Sequence, residues 1–290
     1  MLSGFISGKT KICGIIGDPI EHTMSPVMHN AAFKNKGVDY VYLAFRVKKE
    51  ELSKAIEGMR ALNIRGLNVT IPHKVAVIPF LDELDHLADK IGAINTIVNN
   101  DGVLKGYNTD ATGFLQALRE RGIEPKGKSV VILGAGGASR AISFILAEKG
   151  SSLVILNRTW NKAKICTDRI SEIFQREATA LKLNRENLAA ALSKADILVN
   201  ATSVGMSPNI DETPVTSDLL RPNLVVYDIV NNPIKTRLQR EAEVVGATVI
   251  SGLDMLVWQG ALAFEKWTGL KAPIRVMREK VIKVLQRHED

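Results

Sequence analysis

The sequence predicts an α/β protein of two domains, one of them a doubly wound sheet. Three observations carry this. The chain has 290 residues, long for a single hydrophobic core and suited to two. Short apolar, β-branched runs alternate with helical patterns over most of its length, the rhythm of sheets covered by helices. Near the middle, the run Ser129-Val130-Val131-Ile132-Leu133 passes straight into Gly134-Ala135-Gly136-Gly137-Ala138-Ser139, and a helical pattern follows.

In chain order, residues 1–10 show no periodicity and read as a loose leader. Ile12 to Ile16 reads as a strand and Gly17 to Ile20 as a turn. Ser25 makes a good N-cap for a helix with Pro26 at N1. Val41, Leu43, Phe45 and Val47 alternate, as on one face of a strand. Leu52, Ala55, Ile56, Met59 and Leu62 follow helical spacing. In Gly66 to Lys74, Leu67, Val69 and Ile71 point one way and Asn68 and Thr70 the other. Lys74 then stands where a helix is expected to begin, and a cation there opposes the macrodipole, so a functional reason is worth seeking. Ile94 to Val98 is a strand containing Asn95. Asn99-Asn100-Asp101-Gly102 is a hairpin turn. Asp110 stands at the start of a helix that it is placed to cap. Glu120 to Lys128, with Gly122, Pro125 and Gly127, reads as a linker.

The glycine-rich unit comes next. Gly134 permits a tight turn, and Gly136 lets backbone N–H groups approach a pyrophosphate at a helix N-terminus. Ser139 fills the last position of the GxGxxG pattern. Gly150 stops the helix, and Leu153 to Leu156 is the second strand of a βαβ unit. That strand ends in Asn157-Arg158-Thr159, with Lys162 a turn later. An NAD site usually carries Asp or Glu here for the ribose 2′-hydroxyl, whereas a guanidinium suits a 2′-phosphate. The expected cofactor is therefore NADP. Beyond it, Asp196 to Asn200 is a strand, Ala201 to Pro208 a loop at its ligand-binding end, Leu224 to Val230 a strand, Ile234 to Val245 a helix and Ala247 to Ile250 the last strand. Two helical patterns close the chain and are expected to pack back on the first domain.

Composition narrows the function. The net charge of +7 is spread along the chain, with no basic block interleaved with aromatics, so a nucleic-acid binder is a poor reading. Cys13 and Cys166 lack metal-ligand spacing and read as packed thiols, and no metal is expected. No apolar run is long enough to span a bilayer, and nothing resembles a leader peptide, so a cytoplasmic protein is expected.

The motifs together resemble the shikimate dehydrogenases, NADP-dependent enzymes that interconvert 3-dehydroshikimate and shikimate on the route to chorismate and the aromatic amino acids. Those that carry the resemblance are His22 to Pro26, Asn68 to Lys74, Gly92 to Thr96, Gly106 to Asp110, Gly134 to Arg140, Asn157 to Thr159 and Met255 to Gly260, and the wording is most similar to archaeal members. The resemblance implies a substrate domain at 1–110, completed by 253–290, and a Rossmann-like NADP domain at 111–252. It implies that Thr23, Ser25, Asn68, Thr70, Asn95, Asp110 and Gln259 hold the substrate and that Lys74 is the acid–base residue, with Asp110 flanking the same hydroxyl. Gly134, Ala135, Gly136, Gly137, Ala138, Asn157, Arg158, Thr159 and Lys162 would hold NADP, with Ile229 and Gly252 near the nicotinamide. Two substrate-side positions depart from the family: Thr23 replaces a serine, and Asn231 replaces a tyrosine. The resemblance leaves open a homodimer, quinate as a substrate, and a nicotinamide-binding regulator without chemistry. A methylenetetrahydrofolate dehydrogenase fits less well, given the Asn68-to-Lys74 and Gln259 motifs.

Overall fold

The computed structural model describes residues 6–289. Residues 1–5 of the expected leader lie outside the described residues. At its other end that segment is anchored, with the Thr10 hydroxyl donating to Asp39 at 2.7 Å.

The chain divides into two compact units: residues up to Gly113 with Val257–Val284, and Phe114–Leu256 with the residues from Leu285 onward. All three crossings fall inside helices, not in the Glu120–Lys128 segment.

The first unit contains β1 (Lys11–Gly17), α1 (Ser25–Lys36), β2 (Tyr40–Arg46), α2 (Leu52–Ala61), β3 (Gly66–Val69), β4 (Glu83–Leu84), α3 (His86–Ile91), β5 (Thr96–Asn100), β6 (Val103–Tyr107) and the start of α4 (Thr109–Glu120). Its mixed sheet has the order β2-β1-β3-β5-β6-β4. The first three strands are parallel, β5 runs antiparallel to β3, and β6 antiparallel to β5. Leu67, Val69, Ile56, Met59 and Ile97 bury one face as a single apolar cluster. The short β4 and α3 carry no strong periodicity and escape a reading from sequence.

Three local expectations change. Ser25 is not the N-cap: Met24 occupies that position, and the Ser25 N–H donates to Thr23 Oγ1 at 3.3 Å. No helix starts at Lys74. Residues 72–77 form turns, so the macrodipole argument does not apply there. In β2 it is Tyr42 that is buried, whereas Leu43 is 43% exposed. β2 is an edge strand and is buried in part on both faces: Tyr42 on one, and on the other Phe45, which packs against the apolar cluster, with the buried Val47 just beyond it.

The second unit contains the rest of α4, then β7 (Ser129–Leu133), α5 (Gly137–Glu148), β8 (Ser152–Asn157), α6 (Trp160–Phe174), β9 (Ala178–Lys182), α7 (Arg185–Leu192), β10 (Ile197–Asn200), β11 (Val225–Asp228), α8 (Arg237–Val244) and β12 (Thr248–Ser251). Its sheet is wholly parallel, in the order β12-β11-β10-β7-β8-β9. The strand order reverses between β7 and β10, so the crevice beyond their C-terminal ends is where such sheets bind ligands. Val131, Leu133, Leu198 and Val226 fill the core on one side.

Helix α9 (Gly252–Thr268) and α10 (Ile274–Glu289) end the chain. From Val257 onward α9 belongs to the first unit. Trp267 is the reason it stays there. Its indole is fully buried, its Nε1 donates to the Ile97 carbonyl at 3.0 Å, and its own carbonyl accepts from Arg65 Nε at 3.0 Å.

Candidate active site

The chemistry of the first unit converges where β3, β5 and α4 meet. The backbone settles which side chains are free to act. Asn108, not Asp110, caps α4, its Oδ1 accepting from the Ala111 N–H at 3.0 Å. The Asp110 carboxylate is thereby released for other partners. Lys74 follows β3 on turns anchored by His73, whose Nε2 lies 2.6 Å from the Val47 carbonyl. That buried ring is committed to the backbone, and Lys74 is left to face the polar cluster.

Lys74 Nζ donates to Asp110 Oδ2 at 2.5 Å, with only 16% and 9% of the two side chains exposed. Asn95 Nδ2 donates to the other carboxylate oxygen at 2.9 Å, and to Thr109 Oγ1 at 2.9 Å. The Asn95 amide cannot flip, because its Oδ1 accepts from the Thr109 backbone N–H at 2.7 Å. Gln259 Oε1 on α9 lies 3.4 Å from Asn95 Nδ2. Asn68, buried on β3, donates to the Asn95 carbonyl at 3.1 Å and to Thr96 Oγ1 at 3.0 Å. Its Oδ1 accepts from the Tyr42 hydroxyl at 2.6 Å.

The unit thus brings Lys74, Asn95, Asp110, Asn68 and Gln259 into one network. Thr23 and Ser25 stand together at the start of α1, the Thr23 hydroxyl accepting from the Ser25 N–H at 3.3 Å, and the Thr70 N–H donates to the Ile16 carbonyl at 3.0 Å. Sequence reasoning missed Tyr42, Thr96, Thr109 and the capping role of Asn108. Thr96, Asn108 and Thr109 stand inside motifs already singled out, so a polar residue in a buried strand or helix start was the available signal. An ammonium and a carboxylate paired with so little water are worth keeping only if both stay satisfied; removing one leaves a buried charge that costs about 3–5 kcal/mol. Such a pair can give a proton to an oxygen placed beside Lys74, or take one.

The second unit holds the glycine-rich turn. Gly134 has φ +105°, and a Cβ there would sit 2.8 Å from the Ala201 carbonyl oxygen. Only glycine brings β7 so close to the loop after β10. The Ser139 hydroxyl donates to the Gly134 carbonyl at 2.6 Å, so the residue in the third glycine position ties the turn shut. Gly136, Gly137 and Ala138 open α5, and no neighbour lies within 4 Å of a Cβ built on Gly136. The Asn157 amide donates to the Thr159 carbonyl at 2.9 Å and shapes the turn after β8. Arg158, Thr159 and Lys162 are exposed there. Neither cation belongs to an ion pair among the described residues. A cramped glycine turn, an open helix start and two free cations at the end of β8 fit a dinucleotide with a 2′-phosphate.

On the other flank of the same sheet, a Cβ at Gly252 would meet the Ile229 carbonyl oxygen at 2.3 Å, so Gly252 lies against Ile229. Asn231 follows, partly buried. Beneath them Asp228 is fully buried, accepting from Thr236 Oγ1 at 2.6 Å, Asn200 Nδ2 at 2.9 Å and the Val230 N–H at 3.1 Å. Burial outweighs these donors and pushes its carboxyl up to about 6. Cys13 and Cys166 are buried and free, burial raising both thiols. Among the described residues no cluster has the makings of a metal site, and no helix is long and apolar enough to cross a membrane.

Comparison with known proteins matches three family models in order: the shikimate dehydrogenase substrate-binding domain at residues 15–97, the shikimate/quinate 5-dehydrogenase model at 117–245 and the shikimate 5′-dehydrogenase C-terminal domain at 252–282. The shikimate dehydrogenase (NADP+) of Methanopyrus kandleri is 51% identical over 97% of this chain and 98% of that protein. A solved shikimate dehydrogenase in complex with NADP+ is 45% identical, with a TM-score of 0.92 over 98% of this chain and 99% of that one. The Listeria monocytogenes shikimate 5-dehydrogenase, solved with shikimate and NAD, is 42% identical, with a TM-score of 0.89 over 94% and 97% of the two chains.

Proposed function

The chain belongs to the shikimate dehydrogenase family, and we propose that it catalyses the NADP-dependent, reversible reduction of 3-dehydroshikimate to shikimate. The observation that carries this reading is the buried Lys74–Asp110 pair, held by Asn95 in a unit lined with uncharged hydrogen-bonding groups.

NADP supplies or accepts the hydride when bound, and the residues that would hold it are Gly134 to Ala138, Asn157 to Thr159 and Lys162, with Ile229 and Gly252 toward the nicotinamide. The protein's own work is binding and proton handling. In the reducing direction the reacting ketone oxygen gains a proton, for which the Lys74 ammonium is the donor. In the oxidising direction the neutral amine takes it back. Asp110 accepts from Lys74 and keeps the amine aimed at that oxygen, and Asn95 keeps Asp110 in place. Thr23 and Ser25 are the proposed carboxylate donors. Asn68, Thr70 and Gln259 are the proposed partners of the ring hydroxyls.

Quinate is the rival substrate. It has a tetrahedral, hydroxyl-bearing carbon where shikimate has a planar one. The methyl of Thr23 favours shikimate, whereas Asn231 in place of tyrosine removes bulk. A regulator without chemistry is disfavoured by the intact Lys74–Asp110 pair. The proposed setting is the cytoplasm, and two free buried thiols fit a reducing compartment. The proposed assembly is a homodimer, supported by an edge strand β2 that carries exposed Leu43 and neither lysine nor proline to block pairing. Light scattering on the purified protein checks the assembly. The function is tested by assaying shikimate and quinate, each with NADP and NAD. Shikimate with NADP should give the highest kcat/KM, and turnover of neither acid would refute the reading.

A further inference from the structure

Asp228 ends β11 wholly out of solvent, and its carboxylate collects a donor from each of three places. Asn200 Nδ2, at the end of β10, and the Val230 N–H, two residues on, both reach Oδ1, at 2.9 and 3.1 Å. Thr236 Oγ1, on the N-cap residue of α8, donates to Oδ2 at 2.6 Å. The polarity of this knot is fixed. The Asn200 amide cannot turn over, because its Oδ1 accepts from the Thr202 N–H at 3.1 Å and from Thr202 Oγ1 at 2.7 Å. Thr236 Oγ1 accepts from the Gln239 N–H and spends its own proton on Asp228. Every partner is therefore a donor, and only a group that accepts on both oxygens satisfies them all. Burial pushes the carboxyl up to about 6, which leaves it ionised at neutral pH.

Holding α8 in place would take the Thr236 bond alone. The other two bonds act on the chain just beyond β11. There the Ile229 N–H donates to the Asn200 carbonyl at 3.1 Å, and the Val230 N–H donates to Asp228. Behind them Gly252 leaves no room, since a Cβ on it would lie 2.3 Å from the Ile229 carbonyl oxygen and 2.4 Å from that of Val230. The backbone of both residues is pinned on its N–H side and on its carbonyl side, while the Ile229 side chain stays partly exposed. Ile229 and Gly252 are the residues proposed to lie toward the nicotinamide. A ring that must present one carbon to its substrate needs a wall that does not shift, because rates fall steeply with small misplacements.

We propose that Asp228 is a positioning residue of the cofactor site: by gathering donors from β10, from α8 and from the segment beyond β11, it fixes Ile229 and Val230 as the wall for the nicotinamide half of NADP. It acts through that backbone and touches no reacting atom. The proposed grip on the adenosine half, Arg158 and Lys162 beyond β8, shares no hydrogen bond with Asp228. The two halves of the cofactor should therefore respond differently to its loss.

The inference rests on the NADP-dependent reading, so NADP binding and shikimate turnover by the wild type are measured first. Asp228→Asn keeps the shape but sets an amide N–H against a donor. Calorimetric titration at neutral pH should show NADP weakened about three- to tenfold, the weight of a hydrogen bond. Adenosine 2′,5′-bisphosphate, which lacks the nicotinamide half, should bind within about twofold of wild type. The turnover number kcat should fall about tenfold or more, with shikimate KM little changed. Thr236→Val removes one donor and should show the same split between the two ligands, whereas Thr236→Ser keeps the hydroxyl and should not. In the double variant of Asp228→Asn with Thr236→Val, the second substitution should add much less than it does alone. Equal losses for both ligands, or no loss for NADP, overturn the inference and spare the function. Should Asp228→Asn fail to fold, the two Thr236 variants decide by the same readings. If Thr236→Val fails to fold as well, the knot is structural and the inference falls. A wild type that neither binds NADP nor turns over shikimate removes the function, and this inference with it.

Discussion

The two units meet their ligands in opposite ways. In the first, Lys74, Asp110, Asn95, Thr96, Thr109 and Asn68 satisfy one another before anything binds, most of them buried. In the second, Arg158 and Lys162 stand in solvent at the end of β8. The first arrangement has little reorganisation left to do when a proton moves, which is how electrostatic preorganisation lowers a barrier. In its proposed role the second holds a charge in readiness and would gain affinity when a phosphate arrives, a gain that salt screens. On the proposed roles, chemistry and recognition of the cofactor draw on different physics within one chain, and substitutions can separate them.

The largest expected effect falls on the chemistry. Lys74→Ala should lower kcat by about 10²–10⁴, with shikimate KM moving much less, as steady-state kinetics will show. A normal kcat with a raised KM would make Lys74 a binding residue. Asp110→Asn should also lose kcat, because the charge facing Lys74 is removed while the shape stays. On the cofactor side, Arg158→Ala should weaken NADP by about ten- to a hundredfold and leave NAD nearly unchanged, measured by titration of each. Equal losses for both cofactors would mean that the guanidinium is structural.

The contrast is also one of legibility. The doubly wound sheet was readable because a buried parallel strand, a glycine turn and a helix leave marks in adjacent residues. The weak spots were β9 with its neighbour α7, and β4 with α3, where short edge elements carry little periodicity. In the candidate site, the residue types were readable and their local jobs were not. Ser25 looked like a cap, but Met24 holds that position and the Ser25 N–H turns to Thr23 Oγ1. Asp110 looked like a cap, but Asn108 does that work. Lys74 looked like the first residue of a helix that the chain does not form. Each case turns on which of two adjacent polar side chains the backbone recruits, a choice decided by tertiary contacts. Tyr42 was hidden for a related reason: the apolar alternation marks the face of Phe45 and Val47, and Tyr42 is buried on the opposite one.

Smaller effects sharpen the comparison through stability. A Cβ added by Gly66→Ala would sit 2.0 Å from Trp267 Nε1, a fully buried indole. Overpacking of this kind should cost about 2–3 kcal/mol. Thermal melting should report the loss, shikimate affinity should fall with it, and NADP affinity should hold. A stability effect of similar size, which no substitution is needed to see, is a pH dependence in the second unit. Asp228 has a folded pKa of about 6, above its unfolded value near 3.9, so the folded state binds the proton more tightly. Its contribution to stability is fully present below about pH 4 and is lost as pH rises through 6, a change of about 2–3 kcal/mol. Denaturant titrations between pH 4 and 7 should show that fall on top of other groups, and Asp228→Asn should flatten it.

Trp267 gives the molecule a schedule. The first 113 residues and the helix that carries Trp267 form one unit, yet roughly 140 residues of cofactor unit separate them in the chain. At about 5–20 residues per second, synthesis reaches α9 some 7–30 s after the first sheet has emerged. Until then the Ile97 carbonyl lacks its indole donor and Gln259 has not reached Asn95. The cofactor unit, whose strands are nearly contiguous in the chain, has no such wait. A chain cut short before Trp267 would carry the residues for gripping a nucleotide without a finished place for the molecule it is meant to reduce. Completion of the last helices is thus the step at which a newly made chain becomes an enzyme.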